Sequence, residues 1–371
     1  MRCVAALGLV LATLSLARAE CPPPSAWSAW SSFRSAYLQA DGRVIDHSLT
    51  EQPTVSEGSG YAAFLALVAD DRRSFDAIER WVRDNLAAGD LTQRLPAWRW
   101  GQRDDGSWGV LDANSASDAD LWLAYDFLEA GRLWGDDRLT ELGRQLARRI
   151  LDEEVTTVEG LGSVLLPGRS GFVHDDGSVR TNPSYAPSFL LARLAAVDDR
   201  YQAVAARSEH LLEASIVHGF VPDWVDVWPG GRVSPADGEE GRGSYNAIRV
   251  YLWVAMSTPG PAKERMLRAL KPIAATVSAQ GWPEWFDPRT GESGGHGGRA
   301  HAAALLPFLK LVSPARYAQL RKILKRSPVV AADGRRYYGD VLGLFALGAD
   351  EGRFAFAADG HLLRGASRCP S

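Results

Sequence analysis

The chain has 371 residues, 46% hydrophobic and 23% charged, with a formal net charge of -4. That is ample for a large buried core, and so balanced a charge excludes a nucleic-acid binder, which needs a strongly basic face or stripe. Thirteen tryptophans are many for this length; most are expected in the core, and any remainder suits stacking on the apolar faces of pyranose rings.

In chain order, Arg2, an apolar run over 4–16 and Ala17-Arg18-Ala19 read as a secretory signal peptide cleaved after Ala19. The run is too short to span a bilayer. Cleavage removes two basic residues and no acidic ones, taking the net charge to -6. Cys21 raises the alternative of a lipoprotein, but Arg18 and Glu20 flank it badly for a lipid-attachment box. Cys3 leaves with the signal, so Cys21 and Cys369 remain. In an oxidising compartment they are expected to pair, which requires the two ends of the chain to meet; two free thiols are the alternative. No later apolar run is long enough for a bilayer, so the mature chain, 20–371, is expected to be soluble.

Helical periodicity then dominates. Apolar residues at three- and four-residue spacing predict helices over 61–69, 75–86, 119–133, 139–151 and 248–256. Similar stretches lie near 26–38, 185–196, 201–214, 262–279, 299–311, 315–325 and 338–347. Short β pieces fit 162–166 and 225–228, as loop hairpins. A dozen helices of similar length, with Gly/Pro/Asp-rich loops and no linker, predict one closed ring of paired helices. A solenoid is the rival, and no repeating period supports it.

Three loop-to-helix junctions carry candidate chemistry. At 56–61, SEGSGY sets Glu57 at the start of an apolar helix. Helix capping explains an acid there; the flanking glycines would also admit a ligand to the backbone. At 114–122, NSASDADLW sets Asp118 and Asp120 where a helix begins. Capping by Ser117 or Asp118 accounts for one of them and not for both. Metal binding has no His/Cys cluster or calcium-loop spacing behind it, so no metal or cofactor is expected. At 243–253, GSYNAIRVYLW brings Tyr245, Asn246 and Arg249 together. Trp98, Trp100, Trp108, Tyr185, Trp224 and Trp228 fall in loops or at helix starts, where a groove-lining role competes with core packing. A phosphate loop, a G-x-S-x-G elbow and an i, i+4 zinc histidine pair are all missing.

These motifs, with RLPAWRWG at 94–101, EAGRLW at 129–134, NPSYAPSF at 182–189 and LLPFL at 305–309, resemble glycoside hydrolase family 8, and within it the periplasmic branch made with bacterial cellulose synthase. The resemblance spans nearly the whole mature chain. It implies an all-α (α/α)6 barrel with a cleft for a β-1,4-glucan chain, hydrolysis of internal bonds with inversion, and a role in cellulose biosynthesis. The cellulose synthase export complex is the implied partner and the periplasm the implied location. Glu57 matches the family's proton donor. Asp118, with Asp120 close behind, matches the acid that holds the sugar at the cleavage point. Tyr61, Trp98, Trp100, Trp108, Tyr185, Tyr245, Asn246 and Arg249 are the substrate-binding candidates.

An inverting enzyme needs a protonated acid on the leaving oxygen and a base on the opposite face, with carboxyls about 6.5–9.5 Å apart. Many members of the family carry that base as an Asp where this chain has Asn246. An amide cannot take a proton from water at neutral pH. Some branches use an acid elsewhere; here the Asp237-Gly238-Glu239-Glu240 loop and the Asp118/Asp120 pair are available. Asn246 would otherwise only orient the water, or the protein would bind glucan with little turnover. Hydrolysis of chitosan or xylan is the remaining alternative.

Overall fold

Two kinds of helix differ in where their apolar residues fall. Ser56–Val68 buries nearly its whole circumference, whereas Arg72–Asn85 turns Phe75, Ile78, Trp81 and Val82 inward and its charges outward. A helix apolar on every side is surrounded by protein; an amphipathic one packs by one face. A computed structural model describes residues 27–278, 281–326 and 328–365. Among them the alternation repeats six times. The outer helices are α1 (Ser28–Tyr37), α3 (Arg72–Asn85), α5 (Asp137–Glu153), α7 (Arg200–Ser215), α9 (Pro261–Leu270) and α11 (Pro314–Leu324). The inner ones are α2 (Ser56–Val68), α4 (Ser117–Trp134), α6 (Ser188–Ala195), α8 (Ala247–Met256), α10 (Arg299–Val312) and α12 (Tyr337–Asp350).

The inner helices close a ring. α2 packs on α4 and α12, α4 on α6, and α10 on α8 and α12. Phe189 of α6 meets Trp253 of α8 edge to face at 6.2 Å, which bridges the remaining step. Each inner helix also packs on an outer partner, with α1 against α12. The fold is an (α/α)6 barrel, as the resemblance implies. Its axis is filled by aromatic rings from five elements. Phe64 stacks on Phe345 at 5.1 Å, Trp122 meets Phe64 at 4.9 Å, and Phe189 stacks on Phe356 at 3.8 Å. Trp122 and Trp253 are core residues, 1% and 5% exposed.

One expected helix is interrupted. Over 262–279, α9 stops at Leu270 and the chain continues as a 3-10 turn, Lys271–Ala275. Pro272 lacks the N–H that would extend the α-helix.

Small antiparallel sheets decorate the loops: β1 (Thr54–Val55) with β2 (Arg99–Gln102) and β3 (Trp108–Asp112), the hairpin β4 (Val155–Val158) and β5 (Gly162–Leu165), and β6 (Val179–Thr181) with β7 (Val225–Val227) and β8 (Val233–Pro235). Two more pairs are β9 (Trp285–Phe286) with β10 (Ser293–Gly294) and β11 (Phe354–Phe356) with β12 (Leu362–Arg364). The β11–β12 pair stoppers one end of the barrel. Tyr125 donates to the Gly360 carbonyl at 2.9 Å, and Glu129 accepts from the Leu362 amide at 2.8 Å. The first turns of α2, α4 and α8 meet at the other end. The expected signal peptide and the Cys21–Cys369 pairing lie outside the described residues.

Candidate active site

Arg249, in the first turn of α8, organises that end. Its Nη1 donates to Asp118 Oδ2 at 2.8 Å and to the Tyr61 hydroxyl at 2.9 Å, and its Nη2 donates to Asn246 Oδ1 at 2.7 Å. Arg249 and Asp118 are 5% and 2% exposed, so this ion pair is shielded from water. Asp118 Oδ1 accepts from the Ala119 amide at 2.9 Å. Both carboxylate oxygens are thereby held, although burial pushes the group's pKa above its ordinary value against the pull of Arg249. The N-cap of α4 is Ala116 and no side chain caps it, so neither Ser117 nor Asp118 has the capping role weighed from sequence.

Glu57 stands across from this pair, at the second position of α2. The N-cap there is Val55, again without a side-chain cap, and Glu57 lies in the first turn, where the helix dipole favours a negative charge. Its carboxyl is half-buried, and Ser56 Oγ donates to it at 3.4 Å. Burial, then the nearby Asp118 carboxylate, raises its pKa to about 7. A carboxylic acid that keeps its proton near neutrality suits general-acid catalysis. The glycines beside it serve packing. A Cβ on Gly58 would lie 2.1 Å from the Tyr337 hydroxyl, and one on Gly60 would lie 3.2 Å from Trp122 Cβ. They admit neighbouring side chains to α2, where the sequence suggested a ligand.

Asp120 faces away from this arrangement. It is fully buried against Glu154, itself fully buried at the end of α5. Two carboxyls in contact need a proton between them. Ser115 Oγ donates to Glu154 Oε1 at 2.5 Å. Burial raises Asp120 well above the usual range, and burial raises Glu154 to about 8. The folded chain therefore keeps protons that the unfolded chain releases near the ordinary carboxylate pKa. Stability must decline as pH rises from about 5 to 8. Calorimetry should show Tm falling over that interval, and Glu154→Gln should flatten the slope.

The remaining candidates spread outward. Trp100 and Trp108, on the paired strands β2 and β3, stack at 5.3 Å, with the Arg43 guanidinium 4.6 and 4.7 Å from the two rings. Trp108 is 46% exposed. Trp98 is half-buried and hydrogen bonds Asp112. Tyr185 lies 5.3 Å from the Arg249 guanidinium and 5.9 Å from Trp224. Tyr245, 45% exposed, donates to Glu284 Oε1 at 2.7 Å. In the 237–240 loop Glu239 pairs with Arg242 at 3.0 Å and Glu240 with Arg180, and Asp237 is exposed.

The family model for glycosyl hydrolases family 8 matches residues 2–352. The chain belongs to glycosyl hydrolase family 8. It is 42% identical over 363 residues to an endoglucanase of Escherichia coli strain K12, covering 96% of this chain and 94% of that one. It is 43% identical to an endoglucanase of Xanthomonas axonopodis pv. citri, covering 96% and 92%. The crystal structure of an endo-1,4-D-glucanase from Vibrio fischeri superposes with a TM-score of 0.85 at 40% identity, covering 91% of this chain and 99% of that one. The chain is therefore an enzyme, a glycoside hydrolase of the endoglucanase kind.

Sequence reasoning missed one carboxylate of this family 8 enzyme. Asp223, in the loop before β7, is half-buried, and its Oδ1 accepts from the amides of Ser244, Asn246 and Ala247 at 2.8, 3.1 and 2.7 Å. It caps the helix that carries Arg249. An acid after Pro222 in a loop carries no local motif; an unassigned N-cap on α8 is the signal that would have prompted a search. Tyr337 and Tyr338, at the start of α12, were missed too. An apolar cavity of about 450 Å³ between α6, α7, α8 and α9 contains none of these carboxyls and has no part in the site. Among the described residues, no group of three or more His, Cys, Asp or Glu is placed to hold a metal.

Proposed function

We propose that the enzyme hydrolyses internal β-1,4 bonds of cellulose with inversion, Glu57 protonating the leaving oxygen. The observation that carries this reading is the half-buried Glu57 carboxyl, proton-bearing to about pH 7, opposite the shielded Asp118–Arg249 pair. Glucan is uncharged, so flat aromatic faces and hydrogen bonds must position it. Trp108, exposed beside the Trp100–Arg43 stack, offers such a face, and Asp118 with Tyr61 offers the polar contacts. The likeness to named endoglucanases favours turnover over a glucan-binding role alone. We assign the mature chain to the periplasm, on the signal-peptide reading, and to trimming of cellulose as the synthase complex exports it. In keeping with that, no described helix is long and apolar enough to cross a membrane.

The first test is release of reducing ends from carboxymethyl cellulose, alongside xylan, chitosan and mixed-linkage glucan. NMR of the first product should show the α-anomer. Release from xylan or chitosan alone, or an initial β-anomer, would sink the proposal.

Two quantities follow. Because the donor must hold its proton, kcat should fall as pH rises through about 7, as a rate profile from pH 4 to 9 would show. Trp108→Ala should raise KM for long glucans by about 3- to 10-fold, the worth of one aromatic stack, with kcat little changed in steady-state assays.

A further inference from the structure

We infer that Asp223 is the general base of this enzyme, its Oδ2 taking the proton of the attacking water that Asn246 cannot take. The inference rests on the hydrolytic reading above.

Asn246 is oriented by its neighbour. Arginine only donates, so the amide oxygen faces Arg249 Nη2, and the amide NH2 must face the other way. The side chain can hold a water or a sugar oxygen by donation; it has no basic atom to offer. Other carboxylates near the cleft are committed. Asp118 gives its two oxygens to Arg249 and to the Ala119 amide. Asp120 and Glu154 share a proton out of contact with solvent. In the 237–240 loop Glu239 and Glu240 pair with arginines and Asp237 is exposed, and Glu284 is bonded to Tyr245 at the rim.

Asp223 differs from all of these. The backbone amides of Ser244, Asn246 and Ala247 anchor Oδ1, which sets the carboxylate next to the position the family's base would occupy. None of the hydrogen bonds described for the group uses Oδ2. Arg249 lies within electrostatic reach of Asp223, and the Tyr338 hydroxyl lies within reach of Asp223, Asp118 and Glu57. Burial raises the basicity of Asp223 against its three amide donors and Arg249. Its own position is firm, because β7 begins two residues on and pairs with β6 and β8.

The step balances. Water oxygen bonds to the anomeric carbon while one water O–H breaks and its proton passes to Asp223 Oδ2. The bond from that carbon to the bridging oxygen breaks, and that oxygen takes the Glu57 proton. The enzyme is left with Glu57 ionised and Asp223 protonated, and exchange with solvent restores both.

The test compares two substrates, a cellulose oligosaccharide and a cellotrioside bearing a 2,4-dinitrophenolate leaving group that needs no acid. Asp223→Asn, which keeps an oxygen for the three amides, should lose at least about 100-fold in kcat on both, with unchanged thermal unfolding. Glu57→Gln should lose that much on the first substrate only. Adding Asn246→Asp to Asp223→Asn should restore at least about 10-fold, and azide should yield an α-glycosyl azide from the activated substrate. Loss on the oligosaccharide alone, or kcat within about 10-fold of wild type on both, would overturn the assignment. Should Asp223→Asn fail to fold, wild-type kcat/KM decides: an acid limb that Asn246→Asp splits into two supports Asp223, and a profile flat to pH 4 overturns it. A wild type inactive on both substrates would instead remove the hydrolytic reading itself.

Discussion

Glu57→Gln is expected to lower kcat on carboxymethyl cellulose by about 10²- to 10⁴-fold, the usual worth of a positioned general acid, while KM changes little. The amide fills the same space and still accepts from Ser56 Oγ, so binding contacts persist and only the proton is lost. The substitution should not destabilise the fold. The native carboxyl is held in its protonated form by burial and by Asp118, and a neutral amide removes that conflict. Above pH 7 the variant should therefore unfold at the same temperature as wild type or higher. An unfolding scan beside the rate measurement separates loss of chemistry from loss of structure. A fall in kcat of less than 10-fold would assign the proton to another group.

Much of the fold was legible because the barrel writes a strong pattern. Each inner helix is apolar nearly all round and each outer helix on one stripe, so twelve helical segments stand out by spacing alone. SEGSGY and SASDADLW were legible for a related reason. A carboxylate in the first turn of a helix otherwise so apolar as α2 or α4 conflicts with its surroundings, and such conflicts gather at working sites. What was not legible depends on loops. Asp223 and Asn246 are 23 residues apart with the strands β7 and β8 between them, and no periodicity links them. Asp120 looked equivalent to Asp118 at two residues' spacing. On a helix that spacing points the two side chains in different directions, one toward Arg249 and one toward Glu154. The strands are two to five residues long, too short for alternation to show, which is why the Trp100–Trp108 hairpin was invisible as a hairpin. Pro272 ends the helix expected over 262–279, although the apolar spacing runs on past it.

Arg249→Met should cost the fold about 3–5 kcal/mol, the range for removing one member of a buried ion pair, and should also abolish most activity. The loss arises from what stays behind: Asp118, 2% exposed, keeps only the Ala119 amide, and Asn246 Oδ1 and the Tyr61 hydroxyl lose their donor. Asp118 would then take up a proton, so the destabilisation should be smaller at pH 4 than at pH 7, measured by denaturant titration at both. Adding Asp118→Leu tests what the pair is for. A double variant with no buried charge left at this position should regain much of the stability, since apolar replacements of buried ion pairs are often neutral or better. Activity should stay lost, because the carboxylate and the oriented Asn246 are gone. Recovery of stability without recovery of turnover would show that the ion pair is kept for the sugar it holds. Recovery of both would remove Asp118 from the reaction and leave Glu57 without the partner that helps keep its proton on.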